Sequence, residues 1–254
     1  MVTFDIERLR QAVQADPEHV DTRLALLRAL ITVEAWEEAE SVGEVLLRMA
    51  SPALLSHTLM SIIYDKQKRR DDAICQCRLA LEREPEDLLS QYNLGVLLAQ
   101  QDDFEAAVTQ LQNVTTQHKT WPVAHYNLGV VLLHLERYAE AAEAFENAID
   151  HCDGYPEAHF NSGNAHAMLG LPADGGLDYY EVDCATNAYK RAIQQRPGYT
   201  AALYNLGMLY GRMTSSEGVR VWEQYLEAAQ NLPDEEIWCI RAREYQRDLQ
   251  DRLR

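Results

Sequence analysis

Apolar positions recur along this chain in short runs with helical spacing, and the runs come in pairs. His125, Leu128, Gly129 and Leu132 follow i, i+3, i+4, i+7 and predict one amphipathic helix. Ala141, Phe145 and Ala148 follow i, i+4, i+7 and predict a second, with Glu136-Arg137-Tyr138 at the turn between them. The pairing is periodic. Ala39, Ala73, Ala107 and Ala141 lie 34 residues apart, Leu94-Gly95 returns as Leu128-Gly129, and Leu46, Ala80, Val114 and Ala148 form a third series. Pro17 and Pro85 stand two periods apart. Gly and Ala fall where two helices cross, because a larger side chain would hold the backbones apart, and Tyr and Phe fill the space beside them. One such pair cannot bury its own apolar face, so the units must stack.

The phase shifts once. Gly129 to Gly163 is 34 residues, but Gly163 to Gly207, Ala141 to Ala185 and Ala148 to Ala192 are each 44. Ten extra residues therefore lie between Gly163 and Ala185. Gly170-Leu171-Pro172-Ala173-Asp174-Gly175-Gly176 is the predicted break, because Pro and Gly interrupt helices. The last repeat loses one residue, placing Gly218 33 after Ala185. This predicts a single solenoid over 1–254. A lone helix covers 3–16, and repeats fall near 20–53, 54–87, 88–121, 122–155, 156–199 (with the insertion near 171–182) and 200–232. Residues 234–254 are predicted as a capping helix, with Asp234 at its N-cap and Trp238, Ala242, Tyr245 and Leu249 as its apolar stripe.

The block Tyr126-Asn127-Leu128-Gly129-Val130-Val131-Leu132, followed by Tyr138, Ala141, Phe145 and Ala148, resembles the tetratricopeptide repeat consensus. The same signature appears as Tyr92-Asn93-Leu94-Gly95 with Phe104 and Ala107, and as Tyr204-Asn205-Leu206-Gly207 with Trp222. Two units, near 20–53 and 54–87, keep the Ala series and lose the Leu-Gly. The resemblance implies an all-α fold, a right-handed α-α superhelix (solenoid) of six helix-turn-helix repeats with extra helices at both ends. It also implies that the first helix of each pair lines a concave groove that holds another polypeptide. It names no partner.

On that implied face Tyr92, Tyr126, Phe160 and Tyr204 stand in register, one per repeat, and Asn93, Asn127, Asn161 and Asn205 run beside them. Val96, Val130, Asn164 and Met208 follow four residues after the aromatics. An Asn amide both donates and accepts, so such a row can pair with an extended backbone while reading little of its sequence. Some superhelical members of the family use an asparagine ladder in this way. The same amides can instead bond to a neighbouring helix, since buried amides need partners either way. Tyr179 and Tyr180, in the insertion, are a candidate lid over the groove, against the plainer reading of a longer turn.

Charge sharpens the picture. Segments 88–101 and 121–135 contain no Asp, Glu, Lys or Arg, 156–170 has only Glu157, and 200–213 only Arg212. The net charge of -17 therefore sits on second helices, turns and the N-terminal units. The face also lacks the Lys and Arg with which chaperone-tail-binding members of the family clamp a terminal carboxylate. So acidic a chain lacks the basic footprint that nucleic acid requires. No run approaches the roughly 18 apolar residues of a bilayer span, and the opening Met1-Val2-Thr3-Phe4-Asp5 is not a secretory signal. A cytoplasmic protein is expected.

Five irregularly spaced cysteines, Cys75, Cys77, Cys152, Cys184 and Cys239, suit small hydrophobes in a reducing compartment better than a disulfide framework. No catalytic motif is present. His125 and His159 are one period apart and His166 shares their stripe, but no Cys or carboxylate completes a ligand set in the sequence, so neither metal nor cofactor is expected. The expected function is an adaptor or scaffold, not an enzyme, that binds an extended, largely uncharged polypeptide. The alternatives are a structural homo-oligomer packing through the groove or the repeat ends and, less favoured, a metal-dependent factor or enzyme.

Overall fold

The computed structural model describes residues 2–49, 54–152, 154–171, 176–230 and 232–254. Among them are fourteen α-helices, one 3-10 turn and no strand. In order the helices are α1 (Val2–Ala15), α2 (Val20–Thr32), α3 (Trp36–Arg48), α4 (Leu54–Lys66), α5 (Arg70–Arg83), α6 (Leu88–Ala99) and α7 (Phe104–Gln117). They continue as α8 (Pro122–His134), α9 (Tyr138–Asp150), α10 (Pro156–Gly170), α11 (Tyr179–Gln195), α12 (Thr200–Met213), α13 (Glu217–Ala229) and α14 (Glu236–Arg252). Two compact units, Met1–Gln117 and His118–Arg254, divide them. Within each unit every helix packs on the next, and the first helices of successive pairs also touch: α2 on α4 and α4 on α6, then α8 on α10, α10 on α12 and α12 on α14. The fold is an all-α helical repeat of six hairpins, with α1 before them and α14 after.

The periodic small residues are the centre of this packing. Ala39, Ala73, Ala107, Ala141 and Ala185 are completely buried, and so are Leu46, Ala80, Val114, Ala148 and Ala192. The Leu-Gly glycines, and Gly163 at the same place in its repeat, each lie under a large side chain of their own second helix. A Cβ at Gly95 would stand 2.8 Å from Leu111, and one at Gly129, Gly163 or Gly207 would stand 2.7 Å from the ring of Phe145, Tyr189 or Trp222. The same contact is filled by a progressively larger side chain, so glycine there is required by close approach.

Five of the six turns within hairpins share one geometry among the described residues. Glu34, Lys68, Asp102, Glu136 and Thr214 all have φ between +51° and +63°. Each left-handed residue reverses the chain so that a following N–H returns to the preceding helix, as Arg137 N does to Leu132 O at 2.9 Å. A side chain with a Cβ is disfavoured in that conformation by about 1–2 kcal/mol, whereas glycine there gives up about 0.5–1 kcal/mol through the unfolded chain. Glu136→Gly and Glu34→Gly should each raise stability, by up to about 1 kcal/mol, read as an upward shift of the urea midpoint. No gain at either position would show that the turn carries no strain.

The insertion is absorbed by both helices and the link between them. α8 and α9 have 13 residues each, while α10 has 15 and α11 has 17. Gly170, expected within the break, closes α10 as helix, and a Cβ on it would meet Val182 at 2.9 Å. Asp178 caps α11 by accepting from Tyr180 N at 3.0 Å and Glu181 N at 3.3 Å, while its own N–H returns to Gly170 O at 3.1 Å. Residues 172–175 of the expected break lie outside the described residues.

Three other expectations need correction. Asp234 is not an N-cap: it sits inside the 3-10 turn Pro233–Glu235, and α14 starts two residues later. Of the capping stripe, Ala242 and Leu249 are buried, but Trp238 and Tyr245 remain 42% and 37% exposed. Cys77 and Cys239 are buried, and burial raises the Cys77 thiol to about 11. Cys75, two residues from Cys77, points the other way and is exposed.

Candidate peptide-binding site

The expected groove residues fall on first helices of both units and are all half-buried, so each offers part of its surface. Tyr92, Asn93 and Val96 belong to α6 in the first unit, where Asn93 Nδ2 donates to Ser61 Oγ of α4 at 3.4 Å. The others belong to the second unit: Tyr126, Asn127 and Val130 on α8, Phe160, Asn161 and Asn164 on α10, and Tyr204, Asn205 and Met208 on α12.

In the second unit the aromatics are paired, a feature absent from the sequence reading. Tyr126 stacks on Tyr155 with centroids 4.9 Å apart, Phe160 meets Tyr199 at 5.2 Å, and Tyr204 meets Trp238 at 5.4 Å. Tyr155 and Tyr199 are the N-cap residues of α10 and α12, and Trp121 occupies the same place before α8. Pro122 and Pro156 then start their helices at N1, and a residue before proline is kept out of the helical region, as the extended Trp121 and the non-helical Tyr155 are. The signal was available: Trp121, Tyr155 and Tyr199 repeat the same intervals of 34 and 44 residues. An N-cap lies outside the helical stripe, so the amphipathic pattern does not mark these rings.

The amides form a chain of hydrogen bonds across the three helices. Asn161 Nδ2 donates to Tyr126 Oη at 3.1 Å, and Asn164 Nδ2 donates to Asn161 Oδ1 at 3.3 Å. Asn164 Oδ1 accepts from both Tyr189 Oη at 2.9 Å and Asn205 Nδ2 at 2.8 Å. This is the helix-to-helix use of the row, and it ties α8, α10, α11 and α12 together beneath the rings.

The face is electrically quiet. Glu157, the one acid of α10, pairs with Arg196, whose guanidinium lies 4.8 Å from the centre of the Tyr199 ring. Burial, and secondly the Glu157 charge, raises the Tyr126 and Tyr199 hydroxyls, so both stay neutral donors and acceptors.

Tyr179 and Tyr180 occupy the first turn of α11 and are both 73% exposed. The Tyr180 hydroxyl is raised chiefly by its hydrogen bond with Cys184, one turn on in the same helix. Nor do the histidines lack carboxylate neighbours. His166 is held between Glu181 (Nδ1 to Oε2, 2.6 Å) and Glu146 (Nε2 to Oε1, 3.3 Å), contacts made across helices that spacing did not show. Among the described residues no group of three or more His, Cys, Asp or Glu is arranged to hold a metal ion.

His125 and His159 are held below the ordinary histidine range, chiefly by burial. His125 bonds the Lys119 carbonyl at 2.8 Å, which opposes the shift without reversing it. With folded values depressed, the unfolded chain binds protons first as pH falls through about 6.5, so both residues favour the fold above that pH and lose this contribution below it. His125→Leu should therefore lose less stability than wild type between pH 7.5 and 5.5 in urea titrations. Parallel losses would mean that His125 titrates alike in both states.

Stacked helix hairpins with a half-buried aromatic face on their first helices define a helical-repeat interaction module. The tetratricopeptide repeat profile matches three overlapping stretches, residues 60–117, 92–156 and 126–184, so the chain carries tetratricopeptide repeats there. Solved structures share the fold. The chain aligns with the MamA protein at TM-score 0.63 and 21% identity, covering 72% of this chain and 95% of that one. PilF of Pseudomonas aeruginosa aligns at TM-score 0.70 and 17% identity, covering 90% and 96%. YrrB, described as a TPR protein with an unusual peptide-binding site, aligns at TM-score 0.56 and 17% identity, covering 94% and 99%. No curated protein matches the sequence at a significant level. No helix among the described residues is long and apolar enough to cross a membrane.

Proposed function

We propose that this chain is a non-catalytic adaptor that holds an extended, largely uncharged polypeptide on the first-helix face of its second unit. The observation that carries this reading is the paired aromatic row: Tyr126 with Tyr155, Phe160 with Tyr199, Tyr204 with Trp238. Rings already stacked lose little entropy on binding and offer large apolar faces with polar edges. The amide chain sets their spacing. Tyr92, Asn93 and Val96 offer a corresponding contact in the first unit. A repeat protein with a peptide-binding site among the structural neighbours agrees with this reading.

The test is selection of binders from a random peptide display library with the full chain, followed by affinity measurement on wild type and Phe160→Ala. The reading expects extended peptides of low net charge whose binding depends on Phe160. Selection of no peptide, or binders indifferent to Phe160, would overturn it.

A further inference from the structure

At the C-terminal end of the aromatic row the rings line an open pocket of about 280 Å³. Tyr204 of α12 and Trp238 of α14 supply its aromatic walls, Tyr225 of α13, only 1% exposed, backs them from within, Glu235 of the 3-10 turn supplies a carboxylate, and Thr200, Ala201 and Asn205 complete the lining with small and amide groups. Tyr204 meets Trp238 at an interplanar angle of 81° and Tyr225 at 67°, so the rings form a corner instead of a stack. The Tyr225 hydroxyl donates to Glu235 Oε2 at 2.6 Å, which fixes the carboxylate against the aromatic wall. Trp238 is 42% exposed, so a ligand has access to its surface.

We propose that this corner is a cage for an alkylammonium group, filled by a lysine side chain, methylated or not, on the polypeptide that the chain binds. The source of that side chain rests on the function proposed above; the chemistry of the pocket does not. Aromatic faces carry negative quadrupole potential and attract a cation within about 6 Å of the ring centre. A carboxylate beside them repels an anion, and it would lose hydration without return if an apolar group filled the pocket. A cation satisfies both. Rings near right angles surround a compact charge, whereas a flat guanidinium stacks on one face. The chain shows the second arrangement too: Arg241 lies 5.1 Å from the Trp238 ring centre, yet it is not part of the pocket lining. The net charge of -17 adds long-range attraction for a basic side chain.

The experiment titrates the full chain with blocked trimethyllysine, blocked lysine and the neutral tert-butyl isostere of trimethyllysine, followed by calorimetry. The cationic probes should bind, and the neutral isostere about tenfold more weakly or worse. Glu235→Gln should weaken the cations about tenfold, while Glu236→Gln, an exposed neighbour outside the pocket, should leave them unchanged. Thermal melts of the same samples show whether each variant is folded. Trp238→Ala should abolish binding, but Glu235→Gln carries the conclusion if that variant melts early. Equal binding of the isostere, or insensitivity to Glu235→Gln in a folded protein, overturns the cage. An extended neutral peptide carrying one trimethyllysine separates the two claims. It should bind more tightly than either the blocked amino acid or tetramethylammonium. If it binds no better, the cage takes free ammonium compounds and the polypeptide source is overturned. If it depends on Phe160 but not on Glu235, the peptide reading stands and the cage falls.

Discussion

Trp222→Ala should cost about 3–5 kcal/mol, the range for truncating a fully buried large aromatic, and should release α14 from the second unit. Trp222 is 1% exposed and rests on Gly207, where a Cβ would stand 2.7 Å from its ring. It meets Tyr204 edge-on at 5.3 Å and Tyr225 at 6.0 Å, and it stacks with Tyr245 of α14 at 5.8 Å and 24°. Removing it opens a cavity on which three other rings depend, and backbone packed around glycine cannot collapse into the space without moving two helices. Trp222→Phe is the informative contrast. Phe145 already fills the equivalent place over Gly129, and the indole Nε1 has no hydrogen-bond partner among the described residues, so the shorter ring leaves no polar group stranded. It should cost well under half as much as alanine. The measurements are urea midpoints for both variants and hydrogen exchange across Glu236–Arg252. Protection of α14 unchanged in Trp222→Ala would show that its attachment runs through Leu249, whose side chain lies 2.6 Å from a Cβ at Gly218.

Position and burial were legible because they follow from period. The Ala39 and Leu46 series specified which residues would be buried, and both series are buried throughout. The shift from 34 to 44 showed where extra chain must enter, though not that α10 and α11 would lengthen to take up part of it. What spacing does not encode is where a side chain turns once helices are placed. Asn161, Asn164 and Asn205 could face a ligand or each other, and only the positions of three helices bring them to one another and to Tyr126. Glu146 and Glu181 reach His166 from two different helices, so no one-dimensional motif announces them. The Tyr155 and Tyr199 rings lie at N-caps, where an amphipathic template does not look. Glu235 enters the aromatic pocket because a 3-10 turn, read as the start of a helix, redirects the chain.

Phe160→Ala and Tyr199→Ala should each weaken a selected peptide by about thirtyfold or more, the scale of a binding hot spot at 2 kcal/mol or above. Phe160 is half-buried, 6.0 Å from the buried Tyr189 ring and 5.2 Å from Tyr199, so its inner edge is held while its outer face is available. Because each ring fixes the other, the double variant should lose less than the sum of the singles, and the shortfall measures their coupling. Asn161→Ala should do the opposite. It removes the bonds to Tyr126 and from Asn164, so about 1–3 kcal/mol of stability should be lost through the stranded amide, with peptide affinity kept within about twofold once folded protein is counted. If Asn161→Ala instead weakened the peptide as strongly as Phe160→Ala while leaving the urea midpoint unchanged, the amides would be the contact and the rings their frame. The two variants therefore separate the ring-borne from the amide-borne reading of one face, because stability and affinity move in opposite proportion in each.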